Sequence, residues 1–119
     1  MWNFQKLHPE SERKAECEKI MRFWPKKIPI ILEKKEGSHL EDVPKAKLLC
    51  PDSYNYSQFL MCLRKKISLG KDDSLFVFVG GTDLITGEKT MLSIYQDHKD
   101  PDGFLYLMYC EHASLGCEL

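Results

Sequence analysis

The chain has 119 residues, enough for one compact domain and short for two. Its 17 Lys+Arg against 18 Asp+Glu leave a formal net charge of -1, which argues against a nucleic-acid partner, since such proteins usually carry a basic excess. No apolar run approaches the roughly 18–20 residues that span a bilayer, and the five cysteines (Cys17, Cys50, Cys62, Cys110 and Cys117) are odd in number and nowhere spaced CxxC, so neither a disulfide framework nor a metal site is expected.

The opening MWNFQKLHPESERK is too polar for a signal peptide, and the chain reads as cytoplasmic. Trp2 to Leu7 has room for one helical turn. Residues 9–24 read as an amphipathic helix, with Pro9 suited to its first turn and Cys17, Ile20, Met21 and Trp24 recurring on one apolar face. Pro25 ends it, because the residue before a proline is pushed out of the helical region. Ile28 to Leu32 is a strand whose Pro29 lacks a donor, so that position is expected at an open edge or a bulge. Residues 35–46 are polar and hold Gly37 and Pro44, the marks of a loop.

Lys47 to Cys50 reads as a short second strand closed by Pro51. Residues 56–67 form a helix, with Asn55 and Gln58 spaced as a capping pair and Phe59, Cys62, Leu63 and Ile67 on its buried face. Leu75 to Val79 (LFVFV) is too apolar for an edge and reads as a buried strand. A loop follows from Gly80-Gly81 to Lys89. Thr90 caps a short helix, Met91 to Asp97. Pro101-Asp102-Gly103 turns the chain into a last apolar strand, Phe104 to Tyr109. One mixed sheet packed by helices is the simplest closure of this order, an α+β class. From residue 27 onward the pattern satisfies a ubiquitin-like β-grasp, although propensity alone does not select that fold.

Six strings carry more information than periodicity. They are HPESERKAECEKI, IPIILEK, LLCPDSYNYSQFLMCLRKKISL, LFVFV, TMLSIYQDHKDPDGFLYLMY and the tail around Gly116. In these strings, their order and their spacing, the chain resembles the autophagy ubiquitin-like modifiers: autophagy-related protein 8, GABARAP and the microtubule-associated-protein light chains. The resemblance implies a ubiquitin-like β-grasp core with two additional N-terminal helices. It divides the chain into a helical extension (1–26), the β-grasp core (27–110) and a flexible tail (111–119) with a processing site after Gly116.

It also implies a life cycle. A C-terminal cysteine peptidase cuts after Gly116, and E1-like and E2-like enzymes join the freed carboxylate to phosphatidylethanolamine. The protein then acts in autophagosome formation, cytoplasmic when free and on the autophagosome membrane when lipidated. Glycine suits this chemistry, because without a Cβ its backbone enters a narrow channel and its carboxylate is unhindered. The chain is a substrate of enzymes and has no catalytic residue or cofactor of its own. Leu115 stands where relatives often carry an aromatic residue. Cys117 is third from the end, which fails the prenylation pattern.

Members of that family bind autophagy receptors through short, acidic-flanked aromatic-x-x-aliphatic motifs that add a strand to a sheet edge. The resemblance maps a first pocket onto Glu16, Ile20, Pro29, Lys47, Leu49 and Phe104. It maps a second onto Leu48, Cys50, Pro51, Tyr54, Phe59, Cys62 and Leu63, with Arg64 beside the docking strand. Leu48 and Cys50 replace the usual aromatic and valine, so the second pocket is expected to be apolar but reshaped. Lys26, Lys27, Lys45, Lys47, Lys65 and Lys66 are candidates for a basic rim, though solvated surface is the simpler reading for most. Three other classes are to be weighed: an unconjugated peptide-binding adaptor in trafficking or at the cytoskeleton, a modifier joined to protein lysines, and an enzyme pairing Cys110 with His112.

Overall fold

The computed structural model describes residues 2–70, 73–80, 83–85 and 87–112. Two short N-terminal helices, α1 (Asn3–Leu7) and α2 (Glu10–Phe23), precede β1 (Lys27–Lys34) and β2 (Lys47–Pro51). Then come α3 (Tyr56–Lys66), β3 (Phe76–Val79), β4 (Asp83–Leu84), α4 (Met91–His98) and β5 (Leu105–Cys110). Pro9 is the residue before the second helix and not part of its first turn. Asn55 and Gln58 do form a reciprocal cap, each side chain bonding the other's backbone N–H at 2.9 Å. Thr90 accepts from the Ser93 N–H at 3.1 Å and starts α4.

The strands form one five-stranded mixed sheet in the order β2-β1-β5-β3-β4. β1 and β5 lie side by side in parallel; the other pairs are antiparallel. With two helices beside this sheet and two more ahead of it, the chain has the expected ubiquitin-like β-grasp with an N-terminal helical addition. β4, just two exposed residues paired to Phe78 and Val79, falls inside the loop expected from the sequence.

Alternation along β1 and β5 sorts their side chains onto two faces. Ile28, Ile30, Leu32, Leu105, Leu107 and Tyr109 join Phe59 and Leu63 of α3 and Met91 and Ile94 of α4 in the larger core. Ile31, Phe104 and Tyr106 meet Phe4 of α1 and Cys17 and Ile20 of α2 in a smaller one. Met21 is half-buried, and Trp24, expected on the buried face of α2, is exposed.

Polar contacts fasten the smaller layer. The Glu33 carboxylate on β1 accepts the N–H groups of Asn3 and Phe4 at 3.0 and 2.9 Å, capping α1. Arg13 of α2 donates from Nε to Asp102 Oδ2 at 2.8 Å and from Nη1 to the His8 carbonyl at 2.7 Å. Asp102, whose side chain is fully enclosed, also accepts from the Tyr106 hydroxyl at 2.5 Å and the Phe104 N–H at 2.9 Å. Burial first, and then the bond to Asp102, push the Tyr106 hydroxyl pKa up. The bond to Asp102 raises Arg13 further above its ordinary value. Next to this network Gly103 has φ +97°, and a Cβ there would lie 2.5 Å from Cys17 Sγ, so the turn needs glycine on both counts.

Pro29 does not mark an open edge: β1 is an interior strand, flanked by β2 and β5. The Leu32 N–H bonds Ala46 O at 2.7 Å and the Asp52 N–H bonds Lys26 O at 2.9 Å, so even-numbered β1 residues carry the bonds to β2. The Lys35 N–H bonds Tyr109 O at 2.9 Å, so odd-numbered ones face β5. Pro29 therefore faces β5, where pairing starts only at Ile30. The carbonyl it would have met, Gly103 O, takes the Tyr95 hydroxyl at 2.8 Å instead.

Candidate functional site: the free edge of β2

β2 is an outer strand of the sheet. The same register that pairs Leu48 and Cys50 with Ile30 and Ile28 turns the backbone of Lys47 and Leu49 away from β1. Lys47 and Leu49 thus offer N–H and C=O groups to an added strand. Pro51, the next odd position, has no N–H to give, and its carbonyl already accepts from the Tyr54 N–H at 3.1 Å. The usable edge is short and centred on Lys47 and Leu49.

Side chains alternate across the same strand. Cys50 is buried and Leu48 half-buried on the α3 side, while Lys47 and Leu49 are exposed on the α2 side. Two depressions follow. One, of about 430 Å³, runs between β2 and α3 and is lined by Leu48, Cys50, Pro51, Tyr54, Phe59 and Cys62. Pro44, Lys45 and Lys66 also line it. The other, of about 620 Å³, lies between β2 and α2 and is lined by Glu16, Ile20, Lys47 and Leu49 together with Ala15, Lys19 and Trp24. Lys47 and Leu49 line both, so the edge strand is the ridge dividing them.

The sequence-derived pocket residues separate by depth. Six of the second set line the α3-side depression, but Leu63 lies beneath it at 1% exposure. Four of the first set line the α2-side depression, whereas Phe104 is wholly buried, with its ring 5.4 Å from that of Phe4, and Pro29 is buried in β1. Arg64 lines neither opening: its guanidinium donates to Gly70 O at 3.0 Å and Asp73 O at 2.6 Å, holding the turn after α3. The lining residues missed are Ala15, Lys19, Pro44 and Trp24. Trp24 reads as core from its spacing, and the spacing of Lys19 carries no signal that separates a rim cation from a solvated one, whereas Lys45 and Lys66, candidates for the basic rim, do line the α3-side opening. Gly116, with Leu115 and Cys117, lies outside the described residues.

Charge around the openings is mostly basic. Lys45, Lys47 and Lys66 surround the α3-side groove, and Lys47 also pairs with Glu16 across the α2-side opening. Burial, and then the neighbouring Cys62, push the Cys50 thiol up to about 12, so the groove floor stays neutral. Cys62 likewise raises Tyr54 above its ordinary value. The thiol of Cys110 is buried, is raised by that burial, and donates to the His112 backbone carbonyl at 3.0 Å. This is the environment of an inert structural cysteine. Among the described residues no group of three or more His, Cys, Asp or Glu is placed to hold a metal, and no helix is long and apolar enough to cross a membrane.

The sheet and its helical addition define a ubiquitin-like protein with an open edge strand between two apolar depressions. The family model of the autophagy protein Atg8, ubiquitin-like, matches residues 12–116. Autophagy-related protein 8 of Candida glabrata is 39% identical over 114 residues, covering 96% of each chain. The Coccidioides immitis protein of the same name is 39% identical over 113 residues, covering 95% of this chain and 96% of its own. The crystal structure of Trypanosoma brucei ATG8 superposes with a TM-score of 0.87 at 31% identity, covering 92% of this chain and 94% of that one. The chain belongs to the Atg8 family of ubiquitin-like autophagy proteins, a family whose members are not themselves enzymes.

Proposed function

We propose that this chain is an autophagy modifier that is cut after Gly116 and joined through the new carboxylate to phosphatidylethanolamine, and that receptors dock on the β2 edge. The observation that carries the docking half is the ridge itself: two free backbone positions, Lys47 and Leu49, flanked on both sides by apolar depressions. An aromatic-x-x-aliphatic peptide added as a strand drops one anchor on each side of that ridge. Phe104, Pro29 and Leu63 then serve as the packed floor, and Lys45, Lys47 and Lys66 meet acidic residues at the rim. Exposed pairs of that kind contribute about 0–1 kcal/mol each, so they tune rate and selectivity.

The conjugation half is supported by the family match, which runs to Gly116 and ends there. A C-terminal cysteine peptidase and E1-like and E2-like enzymes are the implied partners. Division into a helical extension (1–26), a β-grasp core (27–110) and a tail (111–119) accords with this use of the chain. Two acyl chains at about 0.8 kcal/mol per buried CH₂ anchor the product firmly, so one polypeptide has a cytoplasmic pool and an autophagosome-membrane pool.

Intact-mass analysis of starved cells tests the conjugation: a species ending at Gly116, free or lipid-bearing, is expected, and its absence counts against the proposal. Gly116→Ala is expected to abolish membrane puncta; puncta that persist identify an unconjugated adaptor. Leu49→Ala and Lys47→Ala are each expected to weaken a receptor peptide in a titration, and unchanged affinity in both removes the docking face.

A further inference from the structure

Two thiols meet in the α3-side groove. Cys50 sits on β2 opposite Ile28 and turns its side chain into the core under α3. Cys62 lies on α3 one helical turn after Phe59, and all three line the same depression of about 430 Å³. The two thiols are electrostatic neighbours: after burial, Cys62 is the next cause that raises the Cys50 thiol. The Tyr54 hydroxyl on the same groove feels both, hydrogen-bonding Cys62 and lying within electrostatic reach of Cys50. Cys17 belongs to the smaller core, and the Cys110 thiol is committed to the His112 carbonyl; neither lines this groove.

The pair is unequal. Cys50 is buried, and its thiol, pushed up to about 12, stays protonated near neutral pH. Cys62 is half-buried and opens onto the groove, so a small oxidant reaches it first. An accessible thiol beside a second, resolving thiol is the arrangement of redox-sensing cysteines. A filler of an apolar groove needs no sulfur at either place, let alone at both. In a reducing compartment a disulfide is usually transient and regulatory, so a bridge here is a reversible switch and not a structural staple.

We propose that Cys50 and Cys62 are a redox pair that hydrogen peroxide oxidises to a disulfide across the groove, and that the bridge closes the α3-side depression to the aliphatic anchor of a docking peptide. The second clause rests on the docking reading above and adds regulation to it. The Cys62 thiolate attacks one peroxide oxygen; the O–O bond breaks, hydroxide leaves, and Cys62 becomes a sulfenic acid. The Cys50 sulfur then attacks the Cys62 sulfur, the S–O bond breaks, and the departing hydroxide takes the Cys50 proton. Two thiols and one hydrogen peroxide become one disulfide and two waters; sulfur is oxidised and the peroxide oxygens are reduced. A disulfide holds its Cα atoms roughly 4.4–6.8 Å apart, so the bridge pins β2 to α3 where the groove opens.

The test uses the full chain, hydrogen peroxide and a synthetic core peptide, Ser-Trp-Ser-Ser-Leu-Ser. Peroxide followed by thiol blocking and digestion is expected to give a Cys50–Cys62 linked peptide. Affinity for the core peptide is expected to fall about tenfold, the worth of one buried leucine side chain, and to return with dithiothreitol, which does not reverse methionine oxidation. Cys50→Val and Cys62→Ala, each compared with its own reduced affinity, are expected to lose the peroxide response, whereas Cys117→Ser keeps it. The linkage map needs no variant, so it stands even where a substitution harms folding. Linkage absent, or made to Cys17, Cys110 or Cys117 instead, overturns the pair while peptide binding by the reduced chain keeps the docking reading intact. A Cys50–Cys62 link that leaves affinity unchanged overturns the switch. Failure of the reduced chain to bind the peptide overturns the docking reading and the switch together.

Discussion

The two faces of the sheet are held in different ways. Among the described residues, eighteen are buried in the core under α3 and α4, against six in the core under α1 and α2. The larger face is secured by apolar area. The smaller face adds a buried ion pair, a tyrosine hydroxyl and a carboxylate cap reaching from the sheet to the helices. Apolar packing is non-directional, whereas a shared carboxylate fixes where a helix sits. The α2-side depression depends on that placement, since α2 supplies one of its walls; the α3-side groove depends on the main core.

The largest effect expected is at the shared carboxylate. Asp102→Ala leaves Arg13 and Tyr106 without their acceptor, and removing one partner of a buried pair costs roughly 3–5 kcal/mol. Hydrogen exchange is expected to rise first in α1 and α2; a uniform rise across both faces removes the distinction. Leu63→Ala makes a cavity in the larger core and costs about 2–5 kcal/mol. Its expected signature is the opposite, a lower urea midpoint with every amide in the sheet affected together.

A smaller effect is expected at Glu33. Glu33→Ala leaves the first N–H groups of α1 without their acceptors, and lost caps cost about 0.5–2 kcal/mol. Fraying confined to residues 2–8 in hydrogen exchange is the predicted outcome, and loss of α2 protection as well shows that the two helices move as one.

The smallest effect is one of pH. Bonds from the Ser38 hydroxyl and the His39 N–H to the Glu111 carboxylate lower its pKa to about 2, the Ser38 bond contributing most. A carboxylate depressed on folding stabilises the native state above its unfolded pKa. That contribution is lost as pH falls from about 4.5 towards 2. NMR titration of Glu111 in Ser38→Ala is expected to show its pKa move up towards the ordinary carboxylate range; an unmoved value assigns the depression to other groups.

Much of this was legible from residue order. The capping pair Asn55 and Gln58, the helical period of α3 and the apolar runs of β3 and β5 located their elements, because each signal is local. β4 was not legible: two exposed residues carry no alternation. Pro29 was read as an edge because periodicity does not say which neighbour an N–H would face. Trp24 has a buried residue's spacing, yet the helix ends there and the chain turns away. Arg13 and Asp102 are 89 positions apart, so no local pattern announces their bond. At the site, the residue types of the two pockets were legible from the family strings. Their depth was not, since Leu63, Phe104 and Pro29 differ from the lining residues only in how far the sheet and helices cover them.

The docking edge is tested most directly by backbone amide exchange of the full chain with and without the core aromatic-x-x-aliphatic peptide. The register predicts that the N–H groups of Lys47 and Leu49 gain protection on binding, while those of Leu48 and Cys50, already bonded to β1, change little. Binding that leaves Lys47 and Leu49 unprotected, or that protects amides on another edge, contradicts strand addition at β2.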